Sequence, residues 1–336
     1  MDRVRTRATG QTETMTAIVQ DRYGAPEDVF EIRKVEKPTP DADEVLVRVH
    51  ATPISGTDWH LTRGLPYVAR PMTGLRKPRN RIPGYELAGT VEEVGIAVTN
   101  FTPGDEVFGW GSGPYAEFAA VSQGQLSRKP ANLTLEQAAA VPISAFTAIQ
   151  AVRDRGRVGV GQKVLITGAS GGVGLYAVQF AKWLGAEVTG VSSAAKSDLV
   201  LAAGADHVID YKSEDLTAKG DGYDVLIDIY GNPALRECRR VLRPGGILVM
   251  VGGTGGHWFM GTDRWLRAMV MAMFSKLKVR PLIHKDSHDD LVTIKGLIEE
   301  DTVKPILDKP YPLQRVAEAI QYVTDGHARG QVIAII

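Results

Sequence analysis

A glycine-rich turn, Ala169-Ser-Gly-Gly-Val-Gly174, follows an apolar segment and precedes a stretch with helical spacing. A strand–turn–helix passage of this kind binds a dinucleotide pyrophosphate, because glycines let the backbone approach it and the helix N-terminus offers amide donors. The expected contacts are Ser170, Gly171, Gly172 and Val173, while Gly174 lets the helix pack on the strand. The turn therefore predicts hydride-transfer chemistry. A glycine turn without a ligand is the alternative.

The residues about 20 positions further on predict which dinucleotide binds. An NAD site usually carries an acid there, which binds the ribose 2′-hydroxyl. This chain has Val191-Ser192-Ser193 instead, with Lys196 about one turn later. Two hydroxyls and a lysine suit a 2′-phosphate, which a carboxylate would repel. NADPH is therefore favoured over NADH, although Lys196 is also compatible with an ordinary solvated helix position.

The elements around the turn predict an α/β fold. From about residue 138 short apolar runs alternate with helical segments, as in a parallel sheet covered by helices on both faces. The segment before it is rich in strand patterns and turn residues and predicts a small antiparallel barrel-like domain. The last strand, which we expect to return to that first domain, covers 331–336. Strands of the parallel sheet are predicted at 164–167, 187–192, 207–210, 224–229 and 247–251, with helices at 172–184 and 195–203.

Composition excludes several classes of function. The 336 residues include 39 Lys plus Arg and 39 Asp plus Glu, so the net charge gives no case for nucleic acid or an anionic membrane. A single cysteine, Cys238, excludes an intramolecular disulfide and a four-cysteine zinc site. No run approaches the roughly 18 apolar residues of a membrane helix. We expect a disordered tail over 1–14 and a cytoplasmic location.

The segment 258–278 has apolar residues near helical spacing with basic residues between them. A helix packed on the sheet or at a subunit contact is the favoured interpretation. An apolar lid over the substrate and a helix that lies on a membrane surface are the alternatives.

Further motifs make the chain resemble the medium-chain dehydrogenase/reductase superfamily, and in particular its zinc-free, quinone-oxidoreductase-like branch. The motifs are Ile82-Pro-Gly-Tyr-Glu-Leu-Ala-Gly89, Pro103-Gly-Asp-Glu-Val-Phe108, Ala138-Ala-Ala-Val-Pro142, Gly168–Gly174, Gly204-Ala-Asp-His-Val-Ile-Asp-Tyr211 and His327-Ala-Arg-Gly330. The resemblance implies a Rossmann doubly wound parallel sheet plus a GroES-like β-rich catalytic domain, with the active site in the cleft between them. The implied domains are 15–137 with 284–336 for the catalytic domain and 138–283 for the NADPH-binding domain. It also implies a homodimer.

The resemblance implies further cofactor contacts. Lys196 and Tyr211 match the lysine and tyrosine that hold the 2′-phosphate in relatives that use NADPH, and Thr147 matches a position beside the nicotinamide. Gln331 replaces the lysine that usually follows the last glycine motif. The remaining matched positions are Tyr230, Gly231, Val251, Gly252, Gly253 and Gly330.

The same resemblance places Ser55, Tyr85 and Ile143 where zinc-dependent relatives have their three catalytic zinc ligands. Serine is a poor zinc ligand, neutral tyrosine is worse and isoleucine is none, so no metal is expected. Losing the metal removes the strongest electrophile. The expected substrates are therefore already primed for hydride, namely quinones and α,β-unsaturated carbonyls.

A hydroxyl or water must then hydrogen-bond the developing oxyanion and supply a proton. The candidates for this role are Tyr85, Thr57, His60 and Ser55, and Thr57 with His60 match a family proton relay. Asp58 is expected to orient another residue. Each of these side chains is also compatible with simple packing. A zinc-free alcohol or aldehyde dehydrogenase-like reductase and a redox-inactive NADPH-binding regulator remain as alternative functions.

Overall fold

The structure is a computed structural model, and it describes residues 13–217, 222–230, 233–252, 257–258, 261, 263–273 and 276–336. In chain order its strands are β1 (Thr14–Gln20), β2 (Phe30–Glu36), β3 (Glu44–Ile54), β4 (Glu86–Val94), β5 (Glu106–Trp110), β6 (Phe118–Ser122), β7 (Leu126–Arg128), β8 (Lys163–Thr167), β9 (Glu187–Ser192), β10 (His207–Asp210), β11 (Tyr223–Asp228), β12 (Leu242–Met250), β13 (Lys278–Pro281), β14 (Leu307–Pro312) and β15 (Gln331–Ile335).

The α-helices that accompany them vary from one turn to three turns in length. They are α1 (Pro26–Val29), α2 (Gly56–Thr62), α3 (Arg70–Thr73), α4 (Leu135–Ala139), α5 (Pro142–Ile149), α6 (Gly172–Trp183), α7 (Ser197–Ala202), α8 (Leu235–Val241), α9 (Asp263–Met273), α10 (His288–Glu299) and α11 (Val316–Thr324).

Within the described residues, six strands form one parallel sheet in the order β10-β9-β8-β11-β12-β13. This is the 3-2-1-4-5-6 order of a doubly wound dinucleotide-binding fold. The strand order reverses between β8 and β11, and ligands of such sheets bind beyond the carboxyl ends of the strands at that point. The α/β fold predicted from the sequence is therefore confirmed.

A second sheet combines both ends of the chain. Its order is β14-β15-β3-β4-β5-β7, and β6 also pairs with β3. The final strand β15 runs antiparallel to β3, with Val332 opposite Ile54, so the expected return of the last strand to the first domain is confirmed. The strand β1 starts at Thr14, inside the range 1–14 predicted as a tail, and residues 1–12 lie outside the described part of the chain.

The helices α4 and α5 join the two sheets. Ala138 to Val141 and Phe146 are fully buried, and the ring of Trp110 on β5 meets that of Phe146 edge to face at 5.2 Å. One continuous apolar cluster therefore contains residues from both sheets. This packing fixes the position of the first domain relative to the glycine turn after β8.

Candidate active site and dinucleotide site

The glycine turn lies at the point where the parallel sheet reverses its strand order. It follows β8, and α6 begins directly after Gly171. A Cβ at Gly174 would lie 2.1 Å from the carbonyl oxygen of Gly168, so only glycine lets α6 approach the turn this closely. Gly171 is exposed, and a Cβ there would have only one neighbour, 3.5 Å away. The Gly171 amide donates to the Gly168 carbonyl at 3.1 Å and its carbonyl accepts the Leu175 amide at 2.9 Å, so the open feature of Gly171 is the space above its Cα.

Ser170, Gly172 and Val173 are partly exposed around this turn, at the N-terminus of α6. Gln331 is buried next to them, and its side-chain amide donates to the carbonyl of Ala140 at 3.0 Å. A Cβ at Gly172 would collide with this amide at 2.6 Å. The residue that replaces the family's usual lysine therefore packs against the start of the dinucleotide helix.

The residues predicted to bind a 2′-phosphate come together at the end of β9. The backbone amide of Tyr211 donates to the carbonyl of Ser192 at 3.2 Å, while the Tyr211 side chain is exposed. Lys196 is partly buried, and its ammonium donates to the carbonyls of Gly326 at 2.8 Å and Ala328 at 2.6 Å. Lys196 is therefore an anchored side chain rather than a solvated one.

Arg329 adds a second cation to this region that the sequence argument missed. Its guanidinium donates to the carbonyl of Ala195 and forms an ion pair with Asp198 at 2.8 Å. Burial, followed by the positive charge of Arg329, lowers the pKa of Lys196. Arg329 lies in the family motif His327-Ala-Arg-Gly330, which is the sequence signal that marks this cation.

The remaining predicted cofactor positions border the same edge of the sheet. Tyr230 is exposed directly after β11 and contacts the turn at Gly168. Val251 and Gly252 follow β12 and are partly exposed, and Gly252 passes close to the carbonyl of Ile229. Gly330 passes close to the carbonyl of Ile306, immediately before β15. Gly231 and Gly253 lie outside the described residues.

Glu86, at the start of β4, carries a buried carboxyl group next to the candidate catalytic residues. One of its oxygens accepts the backbone amide of Ile143 at 2.7 Å, and its own carbonyl accepts the hydroxyl of Thr52 at 2.7 Å. Thr147 lies one turn after Ile143 on α5 and donates its hydroxyl to the Ile143 carbonyl at 2.8 Å. Glu86 therefore connects the end of β3 with the helix that carries Thr147.

Ser55 begins α2, just beyond the end of β3. Its backbone amide and its hydroxyl both donate to the same carboxylate oxygen of Asp58, at 2.8 and 2.9 Å. Asp58 therefore orients Ser55, as expected, and burial raises the pKa of Asp58. The hydroxyl proton of Ser55 is therefore used in the hydrogen bond to Asp58.

The other two candidates on α2 are not joined to each other by a hydrogen bond in the part of the chain that the structure describes. Thr57 is exposed on the helix surface. His60 has a buried Nδ1 with no hydrogen-bond partner among the described residues, and burial lowers its pKa. The Thr57–His60 relay therefore stays a prediction.

Tyr85 precedes Glu86 and points its hydroxyl toward a distant part of the chain. The hydroxyl donates to a carboxylate oxygen of Asp286 at 2.8 Å, and the other oxygen of Asp286 lies 3.5 Å from Nε2 of His284. Burial, and then the hydrogen bond to Asp286, raises the pKa of Tyr85. Sequence reasoning missed Asp286 and His284, because no short motif marks them.

Comparison with known proteins agrees with this arrangement. The alcohol dehydrogenase GroES-like domain family matches residues 41–131, and the zinc-binding dehydrogenase family matches residues 203–333. The chloroplast envelope quinone oxidoreductase homolog of Arabidopsis thaliana is 32% identical, covering 95% of this chain and 98% of that protein. The quinone oxidoreductase of Rattus norvegicus is also 32% identical, covering 97% and 98% respectively. The chain belongs to the medium-chain dehydrogenase/reductase superfamily.

Solved structures show the same fold over nearly the whole chain. The quinone oxidoreductase from Coxiella burnetii superposes with a TM-score of 0.85 at 27% identity, covering 96% of this chain and all of that one. A cobalt- and zinc-bound alcohol dehydrogenase from Pyrobaculum aerophilum superposes with a TM-score of 0.77 at 26% identity. This chain is thus a quinone-oxidoreductase-like member of the superfamily, an oxidoreductase by its family.

The three residues that the sequence resemblance matched to zinc-ligand positions each contact a carboxyl group in this medium-chain dehydrogenase/reductase. Ser55 contacts Asp58, Tyr85 contacts Asp286 and the amide of Ile143 contacts Glu86. Within the described ranges, no group of three or more His, Cys, Asp or Glu side chains is arranged to hold a metal ion.

Three carboxyl groups near one another make this wall of the quinone-oxidoreductase-like site acidic. Burial raises the pKa of Glu86 to about 8, and the negative charges of Asp58 and Asp286 add to this shift. The contact with His284, by contrast, lowers the pKa of Asp286. At neutral pH we therefore expect Glu86 to hold a proton while Asp286 is ionised.

The described part of the segment 258–278 packs against the dinucleotide-binding sheet, which supports the favoured interpretation. In α9, Ala268 is fully buried, and buried Arg264 pairs with the carboxylate of Asp228 at the end of β11. Trp258 stacks edge to face on Tyr67 of the other domain, with ring centres 5.4 Å apart. The opposite face of α9 exposes Leu266, Met269, Val270 and Met273. Among the described residues, no helix has the length and apolarity needed to cross a membrane.

Proposed function

We propose that this chain is a zinc-independent, NADPH-dependent oxidoreductase that reduces quinones or α,β-unsaturated carbonyls. The observation that carries the proposal is the pairing of an open dinucleotide turn with a wall that offers Ser55, Tyr85 and Ile143 at the family's metal positions. Each of the three is bonded to a carboxyl group of the protein itself. Without a Lewis acid, reduction depends on a substrate that is already electron-poor.

The preference for NADPH rests on the charges at the end of β9. A 2′-phosphate placed near Ser192 and Ser193 would meet Lys196 and Arg329, two cations held in position by backbone carbonyls. The nearby acid, Asp198, is already paired with Arg329. A phosphate is favoured by donors that are oriented before it arrives, because little side-chain freedom is then lost on binding.

The protein's own residues would orient the substrate and supply the proton. A bound nicotinamide supplies hydride from its C4 atom when the substrate is in place. Tyr85 is 41% exposed and lies next to Glu86, so its hydroxyl is accessible from the side where substrate is expected. We expect Tyr85 to hydrogen-bond the carbonyl oxygen that gains charge and to protonate it. Thr147 would lie beside the nicotinamide, as the resemblance implies.

A panel of quinones, enals and enones with NADPH and NADH tests the proposal, with nicotinamide absorbance as the readout. Gly171→Val should abolish cofactor binding while leaving the fold intact, since the structure has room for the side chain. Gly124→Val, at another glycine with open space around it, is the matched control and should bind NADPH normally. Full turnover by Gly171→Val would contradict the proposed dinucleotide site.

Cofactor preference has its own test. Lys196→Ala should weaken NADPH binding at least about tenfold and NADH binding much less, as expected for loss of a charged hydrogen bond worth about 1.5–3 kcal/mol. Lys304→Ala, an exposed lysine outside the site, serves as the control. An equal loss of affinity for both dinucleotides would remove the 2′-phosphate assignment.

Two measurements separate the alternative functions. Purified protein that binds NADPH yet reduces no member of the panel would favour a redox-inactive NADPH-binding regulator. Stoichiometric zinc in metal analysis, with loss of activity on chelation, would favour an alcohol dehydrogenase-like mechanism. We also propose a homodimer and a cytoplasmic location, which sedimentation equilibrium and imaging of a tagged chain would test.

A further inference from the structure

A hydrogen-bonded chain of three side chains reaches from the proposed substrate side to the protein surface. The Tyr85 hydroxyl donates to one oxygen of Asp286 at 2.8 Å, and His284 approaches the other oxygen at 3.5 Å. The two oxygens of a single carboxylate therefore face two different proton-carrying groups. The His284 side chain is 35% exposed, so the far end of the chain is open to solvent.

The segment that carries Asp286 and His284 is fixed in place by a buried side chain. Gln150 accepts the backbone amide of Lys285 at 2.9 Å and donates to the Lys285 carbonyl at 2.8 Å. The same amide nitrogen donates to Asp290, the third residue of α10. Because both the oxygen and the nitrogen of this buried amide are hydrogen-bonded, Gln150 fixes the backbone around Lys285 relative to the end of α5.

Tyr85 is also fixed on its own side. Its carbonyl accepts the backbone amide of Gly111 at 2.9 Å, and the next residue starts β4. The contact between Tyr85 and Asp286 therefore joins two anchored backbones that lie 201 residues apart in sequence. Because both backbones are anchored, the Tyr85 and Asp286 side chains lose little conformational entropy when they form their hydrogen bond. Proton transfer requires such a fixed geometry.

We propose that His284 and Asp286 are positioning residues that orient Tyr85 and return a proton to it after each turnover. This inference rests on the proposed function, because it takes Tyr85 as the residue that protonates the substrate oxygen. The chemical class of substrate is unchanged, namely a carbonyl compound that becomes an oxyanion on accepting hydride.

The proton transfers balance along the chain. The imidazolium of His284 gives its Nε2 proton to the nearer oxygen of Asp286, and a half-turn of the carboxyl group then brings that O–H to the phenolic oxygen of Tyr85. The Tyr85 O–H bond breaks as an O–H bond forms on the substrate oxyanion. The Asp286 proton then restores the Tyr85 hydroxyl, which leaves a carboxylate and a neutral imidazole, and solvent reprotonates His284.

The charges around the chain favour this direction of transfer. Burial of Tyr85, followed by its contact with Asp286, raises the Tyr85 pKa and disfavours a persistent tyrosinate, so the phenol is restored rather than left ionised. Asp58 faces Glu86 from α2, and His284 faces Asp286 from the same loop. Lys285 lies between the two relay residues in sequence and is exposed.

Steady-state kinetics on the full chain with NADPH and a quinone or enone substrate test the proposal. Tyr85→Phe should lower kcat about 100-fold, within the range for general acid catalysis. Asp286→Asn and His284→Ala, which act through Tyr85, should lower kcat less, by about tenfold. Affinity for NADPH and KM should change little. Added imidazole should restore part of kcat in His284→Ala, which a loss of packing would not allow.

Isotope effects give a readout that a structural role would not produce. In Asp286→Asn and His284→Ala the solvent deuterium effect on kcat should rise, and the effect of deuterium at C4 of NADPH should fall, because proton delivery has become slower. Asp289→Asn and His288→Gln, exposed residues at the start of α10, should behave as wild type. Wild-type kinetics and isotope effects in Asp286→Asn would overturn the relay while leaving the proposed function intact.

A titration that needs no turnover tests the contact itself. With tyrosine labelled at the ring carbon that bears the hydroxyl, NMR should show Tyr85 ionising at lower pH in Asp286→Asn than in wild type, because Asp286 raises the Tyr85 pKa. An unchanged titration would overturn the proposal. A wild-type protein that reduces no quinone or enone would overturn the proposed function, and the relay with it.

Discussion

Glu86 should make the stability of this protein fall as pH rises through neutrality. The Glu86 carboxyl group is buried. Its pKa is raised from 4.5 to about 8, mainly by this burial and further by the negative charges of Asp58 and Asp286. Between about pH 4.5 and about 8 the native state holds a proton that the unfolded chain releases. Raising the pH therefore favours unfolding over this window, at up to about 1.4 kcal/mol per pH unit for one proton.

The variant Glu86→Gln isolates this contribution. Glutamine keeps an oxygen that can accept the Ile143 amide and carries no titrating proton. Between about pH 6 and about pH 7.5, the free energy of unfolding of the wild type should fall by about 2 kcal/mol more than that of the variant. Equilibrium unfolding in urea, followed by tryptophan fluorescence at both pH values, measures this difference.

An exposed glutamate on the same strand provides the control. Glu93 also lies on β4, and Glu93→Gln should follow the wild type at both pH values. Parallel pH dependence of the wild type and Glu86→Gln would refute the assignment of a protonated Glu86 to the native state. If the unfolding free energy of Glu86→Gln fell more steeply with pH than that of the wild type, the Glu86 pKa would be lowered in the native state rather than raised.

Three further perturbations test the fold and the cofactor site. Gly174→Ala should lower the free energy of unfolding by more than about 2 kcal/mol, because its Cβ would lie 2.1 Å from the Gly168 carbonyl oxygen; an unchanged melting temperature would count against this close approach. Phe146→Ala, at a fully buried ring, should cost about 3–5 kcal/mol in urea unfolding, and a loss below about 1 kcal/mol would show that the two sheets do not share this core. Arg329→Gln should weaken NADPH binding about tenfold and NADH binding less, by fluorescence titration, whereas Arg315→Gln, an exposed arginine paired with Glu318, should leave both unchanged.

Local patterns predicted five of the six strands that the structure describes in the parallel sheet and missed β13. A parallel strand covered on both faces is a short apolar run, and the predicted strand 187–192 coincides with β9. The predicted helix 172–184 ends one residue later than α6, and the predicted helix from 195 starts as a tighter turn before α7. Helix ends depend on the last one or two hydrogen bonds, so residues near an end are harder to predict than the helix itself.

Site residues that are close in sequence could be predicted together, whereas those far apart in sequence could not. Ser192, Ser193 and Lys196 lie within five positions and could be predicted together, since one strand end and one turn bring them to the same place. Asp286 reaches Tyr85 only because β13 ends at the far edge of the parallel sheet and Gln150 fixes the loop that follows. No periodicity links residues 201 positions apart, so such a contact emerges only from the complete fold.

The carboxyl contacts at the three proposed zinc-ligand positions explain why, in our proposal, the loss of the metal would change the choice of substrate. Asp58, Glu86 and Asp286 each contact one of the three replaced positions, so the wall combines carboxyl groups with no compensating metal in our proposal. Asp58 and Asp286 already act on Glu86 strongly enough to contribute to its raised pKa. A substrate oxyanion formed beside them would meet the same repulsion unless it gained a proton as it gained hydride. The wall therefore favours neutral substrates over anionic ones and couples hydride transfer to proton delivery by Tyr85, so a carboxylate-bearing enone should be reduced more slowly than its methyl ester.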